Sequence, residues 1–540
     1  MGAAWMWCAL AAAAAALGAP RAEGALVLPK FLSSHMVLQR GRAAALWGAS
    51  ECGNVSATLR RGARVVAAAR AERAEGGADG AQWVATLPAQ EAGTGFAITI
   101  EEHCAGGARR ELEDVLFGDV FLCSGQSNMQ FAVHGDFTGR AAIADSSKLT
   151  GLRMWTAVNR YSDHEEWDLD AQGPSMEWLT SVPEHFGSDD FNFPSAVCFF
   201  AGRQVYEYLG TTVPVGLVMS TWGGTAVELW SAPAALADAT CGGLGPVPAD
   251  AADALAASDS RLSSGELSAL LDLDESQPND MGPSCLWNGQ IAMFLRMQFK
   301  AALWYQGEAN AGGAPSYACR FPAMIADWRR RFQQALPFFF VELAGFQDIG
   351  FTALRAAQQR ARKLPNVGFG AAIDLGNRKD IHPHDKLEVG RRMSVSILKL
   401  VYGAKNVTSA TGPELLRVVP TGSHMIVQYA LGTAANLGAV PTHDCDACCA
   451  ESPFMSTQDG GKTWTRAPFH ISGVQVIVSH NGTQAPTGLR YAWESFPQCT
   501  IVSAFGGLSG TITATAFDTT FAAAGERAEM LVTGDEDAAM

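Results

Sequence analysis

The sequence predicts an α/β protein built on a buried parallel sheet, with β-rich segments before and after it. Five nearly continuous apolar runs, residues 115–123, 213–219, 301–305, 338–343 and 367–373, occupy the middle of the chain. Helical stretches at 195–209, 317–334 and 353–363 lie between them. Strands buried on both faces that alternate with helices form a parallel sheet covered on each side. Outside this middle the pattern is alternation at period two with Gly, Asn and Asp turns, as half-buried antiparallel strands require.

Taken in order, residues 1–24 open with an apolar, alanine-rich run that meets Gly18, Pro20, Arg21 and Glu23, the layout of a secretory signal, although the usual basic residue before the run is missing. The run falls short of the about 20 apolar residues that span a bilayer, so a mature chain from near Ala25, cut after Ala22 or Gly24, with no membrane anchor, is expected. Residues 25–110 carry short alternating segments and predict an N-terminal β domain. Residues 111–405 hold the apolar runs and form the expected α/β domain, interrupted at about 234–275 by an Ala-, Asp-, Ser- and Gly-rich insertion. Residues 406–540 return to alternation, with a turn at Asp459-Gly460-Gly461, and end in a loose acidic tail. At about 100–200 residues per domain, 540 residues agree with three such parts.

Lysine and arginine total 39 against 54 acidic residues, a formal charge of −15. Such a field repels phosphate backbones and anionic lipid surfaces, and no basic patch offsets it, which excludes a nucleic-acid binder. Sequons at Asn54, Asn406 and Asn481 agree with entry into the secretory route, with lysosomal or extracellular residence. Eleven cysteines follow the expected signal, an odd number that predicts several disulfides and one free thiol. Cys123, inside an apolar run, is the expected buried thiol. The cluster from His443 to Cys449 has metal-ligating residue types, but no second pair follows at finger-like spacing, and disulfides are the expected reading.

The chemistry lies where two apolar runs end. The first closes in Gly125-Gln126-Ser127-Asn128-Met129. Ligands bind at the carboxyl ends of parallel strands, so Ser127 stands where a nucleophile belongs, and a helix after it would aim backbone N–H groups at a developing oxyanion. Met129 replaces the second glycine of a Gly-x-Ser-x-Gly elbow, which argues against that fold. A serine there also serves as a plain helix cap. The second run closes in Asp374-Leu375-Gly376-Asn377-Arg378-Lys379-Asp380-Ile381-His382-Pro383-His384-Asp385. His382 can take a serine proton if a carboxylate fixes its tautomer, and Asp380, two residues away, is the expected partner with Asp374 in reserve.

Gly125-Gln126-Ser127-Asn128-Met129, Trp222-Gly223-Gly224-Thr225, Trp304-Tyr305-Gln306-Gly307-Glu308-Ala309-Asn310 and Asp380-Ile381-His382-Pro383 together resemble the sialate O-acetylesterase family, serine esterases of the SGNH-hydrolase type. Met36-Val37-Leu38-Gln39, Leu286-Trp287-Asn288, the segment from Phe321 to Arg329 and Arg490-Tyr491-Ala492-Trp493 extend the resemblance over nearly the whole mature chain. It implies a flavodoxin-like core, no metal or organic cofactor, and removal of acetyl groups from O-acetylated sialic acids. It also implies Ser127 as nucleophile and His382 as base, with backbone oxyanion donors at Ser127, Gly223 and Gly224. The third donor stays open between Gln306 and Asn310. Arg355, with Gln358 one turn on, is the expected grip on the sialic acid carboxylate, since a guanidinium can hold both oxygens. An esterase for another acetylated carbohydrate such as xylan, and a catalytically silent glycan-binding glycoprotein, are the alternatives.

Overall fold

One strand, Arg109–Gly125, sets the frame for the Ser127 site. Its first residues, Arg-Arg-Glu-Leu-Glu-Asp, are exposed or half-buried except for Leu112, and from Val115 every residue is buried. The chain therefore starts this strand at a solvated antiparallel edge and finishes it inside a covered parallel sheet. Arg109 to Phe117 pair antiparallel with Gly93–Glu102, while Asp119 to Gly125 pair parallel with Val215–Thr221. The computed structural model describes residues 26–73, 82–169, 177–237, 241, 282–347, 350–480 and 485–520. The expected signal, nearly all of the 234–275 insertion, Asn481 and the acidic tail lie outside them. Asn54 and Asn406 are exposed.

The described residues divide into two compact units, the first made of residues 26–241, 282–303 and 323–337 and the second of residues 304–322 and 338–520. In the first, Leu152–Thr156 pairs parallel with Val215–Thr221, which pairs in turn with the Ser127 strand. Helix Ala196–Tyr208 is capped by Ser195, whose hydroxyl accepts from Cys198 N at 3.3 Å. The Met36-Val37-Leu38-Gln39 motif runs parallel to Leu116–Gly118, and its Gln39 and the following Arg40 bind the buried Asp119 carboxylate. Antiparallel ladders account for the remaining N-terminal strands, Ala44–Ala49 with Gln82–Leu87 among them.

In the second unit Phe338–Glu342 pairs parallel with Val367–Ala371. Helix Lys386–Tyr402 follows, begun by the Asp385 side chain accepting from Glu388 N and stopped by left-handed Gly403. Among the described residues, three small antiparallel sheets complete this unit around Met425, Val427, Phe454, Val476, Val478, Leu489 and Ile501. Ile373, from the end of the Val367–Ala371 segment, joins that same apolar cluster. The architecture is an α/β core with β-rich accessory parts. The strand Leu152–Thr156 and the helix Lys386–Tyr402 were not expected from the sequence.

Disulfides join Cys52 to Cys104, Cys123 to Cys198, Cys445 to Cys448 and Cys449 to Cys499. The second corrects the expectation that Cys123 is a thiol, because helix Ala196–Tyr208 packs its Cys198 against the Ser127 strand. The cysteine cluster near His443 is consumed by disulfides. Among the described residues no helix is long and apolar enough to cross a membrane.

Candidate active site

The Ser127 strand ends at Gly125 with φ 138°, a conformation that side-chain-bearing residues rarely adopt, so the chain turns sharply there. Ser127 begins a single helical turn, Ser127–Gln130. Its side chain is partly exposed and makes no hydrogen bond among the described residues. The neighbouring strand delivers Trp222-Gly223-Gly224 to the same edge. Trp222 N donates to Gly125 O at 3.0 Å, and a methyl carbon placed on Gly223 would lie 3.3 Å from Ser127 Cβ.

Of the two glycine amides expected as oxyanion donors, Gly223 N–H is already engaged by Gln130 Oε1 at 2.9 Å. Gly224 N–H makes no hydrogen bond among the described residues. Gln130 escaped the sequence reading because its signal is three-dimensional. It lies on the same helical turn as Ser127, yet its partner is 93 residues away.

In the second unit the loop after Val367–Ala371 carries both candidate carboxylates and sends them to different partners. Asn377 Oδ1 accepts from the amides of Lys379 and Asp380 and so turns the loop. Asp380 Oδ1 accepts from His382 N at 2.8 Å and stands 3.5 Å from His382 Nδ1, longer than an ordinary hydrogen bond. Its other oxygen is 3.4 Å from His384 Nε2. Burial alone would raise the Asp380 carboxyl, but the ring and backbone of His382 outweigh it and draw it down to about 2. The carboxylate is therefore ionised across the physiological range.

Asp374 is gripped through both oxygens by Arg392, at 2.6 and 2.8 Å, with the two side chains buried. Arg392 also donates to Ala371 O and to Glu388 Oε1. Arg392 was missed because the helix that carries it, Lys386–Tyr402, was not expected from the sequence.

Gln306, in the Trp304–Asn310 motif, is fully buried. Its Nε2 donates to Asn310 Oδ1 at 2.7 Å, its Oε1 accepts from Tyr317 Oη at 3.1 Å, and its carbonyl accepts from Gln358. This arrangement fixes the Asn310 amide with Oδ1 toward Gln306 and the Nδ2 edge turned away.

Arg355 and Gln358 depart from the expected substrate-binding role. The Arg355 guanidinium is 1% exposed and donates to four backbone carbonyls, of Leu343, Ala344, Glu494 and Ser495. Gln358 accepts from Leu343 N and donates to the carbonyls of Gln306 and Val341. Helix Phe351–Gln359 turns this face toward the strand ends, so both side chains tie loops together rather than reaching a ligand. Among the described residues no group of three or more metal-ligating side chains occurs.

Known proteins resemble this chain in sequence and fold. The family model for "carbohydrate esterase, sialic acid-specific acetylesterase" matches residues 288–399. The sialate O-acetylesterase of Pongo abelii is 30% identical over 504 residues, 86% of this chain and 87% of that protein. The sialate O-acetylesterase of Rattus norvegicus is 29% identical over 520 residues, 87% of this chain and 91% of that one. Among solved structures, a carbohydrate acetylesterase from Xanthomonas citri superposes with a TM-score of 0.70 at 27% identity, covering 92% of this chain and 99% of that one.

Proposed function

We propose that this chain, which belongs to the sialate O-acetylesterase family and is a carboxylic ester hydrolase, removes O-acetyl groups from sialic acids by a serine mechanism. The observation that carries the reading is the Asp380 carboxylate against His382, held well below its ordinary pKa and therefore able to fix one imidazole tautomer. In this reading Ser127 Oγ attacks the acetyl carbonyl carbon while His382 Nε2 takes the hydroxyl proton. The oxyanion that forms accepts from backbone N–H groups at Ser127 and Gly224 and from Asn310 Nδ2. Gly223 contributes only if Gln130 yields its amide. Collapse of the tetrahedral species expels the sugar hydroxyl, which leaves with the proton from His382. Water, deprotonated by the same ring, then hydrolyses the acetyl-enzyme to acetate and restores Ser127.

Asp374 belongs to the framework in this account, because both its oxygens are bound by Arg392. The disulfides support work in an oxidising compartment of the secretory route, lysosomal or extracellular. The test is acetate release from an O-acetylated sialic acid, with acetylated xylan alongside. Ser127→Ala is expected to abolish release without lowering Tm, since its hydroxyl makes no hydrogen bond among the described residues. Wild-type turnover in that variant sinks the serine mechanism, and a wild-type enzyme that prefers xylan sinks the substrate.

A further inference from the structure

With Arg355 buried, the sugar of the ester still needs a surface beside the nucleophile, and the first unit supplies one. Its three parallel strands, Arg109–Gly125, Val215–Thr221 and Leu152–Thr156, run in register and release their loops from one edge. The first loop carries Ser127 and the second Trp222-Gly223. The third, after Thr156, carries Arg160 and Tyr161. The Tyr161 side chain is 55% exposed, and its ring centre lies 6.4 Å from that of the partly exposed Trp222, at 43° between planes. Trp222 is one residue from Gly223, which abuts Ser127.

Single exposed aromatics are ordinary, but this one stands on a backbone that is held rigid. The π-helical segment Trp287–Ile291, part of a motif with no other assigned purpose, fastens the loop from below. Gln290 Nε2 donates to Val158 O at 2.8 Å, Asn288 Nδ2 donates to Ser162 O at 3.2 Å, and Glu166 N donates to Asn288 O at 3.0 Å. A side chain at Gly289 would come within 2.6 Å of Arg160 O, so the loop settles onto the segment only because that position is glycine. Gln290 Oε1 also accepts from Ser220 Oγ at 2.9 Å, which couples the loop to the strand that delivers Trp222. Irregular helical turns of this kind concentrate at functional sites. Arg160, exposed beside Tyr161, makes no ion pair or side-chain hydrogen bond among the described residues.

We infer that Tyr161 and Trp222 form the platform on which the sugar ring of the ester rests, and that Arg160 beside them receives the carboxylate of an acidic sugar. Aromatic faces bury the C–H face of a pyranose at little entropic cost when the backbone is already fixed. An exposed guanidinium supplies the paired donors that a carboxylate requires, on a protein whose net charge of −15 otherwise repels it. The inference rests on Ser127 being the nucleophile.

The test measures kcat/KM on an O-acetylated N-acetylneuraminic acid, an O-acetylated neutral hexose and 4-nitrophenyl acetate. Tyr161→Ala is expected to lower the ratio of either sugar ester to the aryl acetate about ten-fold, mainly through KM, and Tyr161→Phe to restore it. Arg160→Gln is expected to lower the ratio of acidic to neutral sugar ester by about ten-fold. An unchanged ratio in Tyr161→Ala, whether overall activity falls or not, overturns the platform, and an unchanged ratio in Arg160→Gln overturns the carboxylate contact. A wild-type enzyme inactive on the sialic ester but active on the hexose overturns the substrate reading above, while the Tyr161 comparison still decides the platform.

Discussion

Replacing Arg355 by Met removes a cation that 1% exposure and four backbone carbonyls define as internal. Burial lowers the Arg355 pKa to about 10, with Glu342 opposing, so the group is charged at neutral pH. Met fills most of the volume and satisfies none of the acceptors. It leaves the carbonyls of Leu343, Ala344, Glu494 and Ser495 without their donor and the Glu342 carboxyl without the cation that most favours its ionised form. Each charged hydrogen bond contributes about 1.5–3 kcal/mol, but the four share one side chain and do not add. The relevant scale is that of stranding buried acceptors, about 1–3 kcal/mol for each carbonyl left unsatisfied. A thermal scan of Arg355→Met is therefore expected to show a clear fall in Tm. Arg355→Lys, which keeps the charge with three donors and no planar fork, should fall between the two. At a temperature where the variant is folded, kcat/KM should drop by similar factors on acetylated sialic acid and on 4-nitrophenyl acetate. An unchanged Tm together with a loss confined to the acidic sugar would refute the argument and return Arg355 to the substrate.

The two carboxylates of the His382 loop should separate in the same pair of assays. Asp380→Asn is expected to cut kcat by orders of magnitude with little change in Tm, because the favoured imidazole tautomer is lost, whereas Asp374→Asn should lower Tm by unseating Arg392 and affect kcat less. The reverse pattern would exchange their roles. Glu342 offers a test by pH. Burial raises its carboxyl to about 7, against the opposing pull of Arg355 and Gln359, while the unfolded group ionises near 4.5. Its contribution to stability is thus complete below about 4.5 and is lost as pH rises through about 7. Glu342→Gln should accordingly gain Tm relative to wild type as pH is raised across that window, and a constant difference would show that the group does not titrate there.

The sequence by itself determined most of the buried strands and the loops proposed to carry the chemistry. Five apolar runs identify buried parallel strands because burial on both faces leaves no polar side to alternate. Glycine before Ser127 marks a turn because the φ of Gly125 suits little else. What it could not determine was the direction of a side chain whose partner is remote. Leu354-Arg355-Ala356-Ala357-Gln358 reads as an ordinary helix face, and only the packed helix brings Arg355 to carbonyls 11 to 140 residues away. Likewise Asp380 is only a first choice, with Asp374 in reserve, until helix Lys386–Tyr402 lays Arg392 across Asp374. Cys123 reads as a core thiol until Cys198 packs onto it, 75 residues on. Periodicity and turn chemistry act over a few residues and are written locally, whereas the pairing of buried polar and sulfur groups is enforced by the cost of leaving them unpaired in the interior. That cost exists only once the chain has folded.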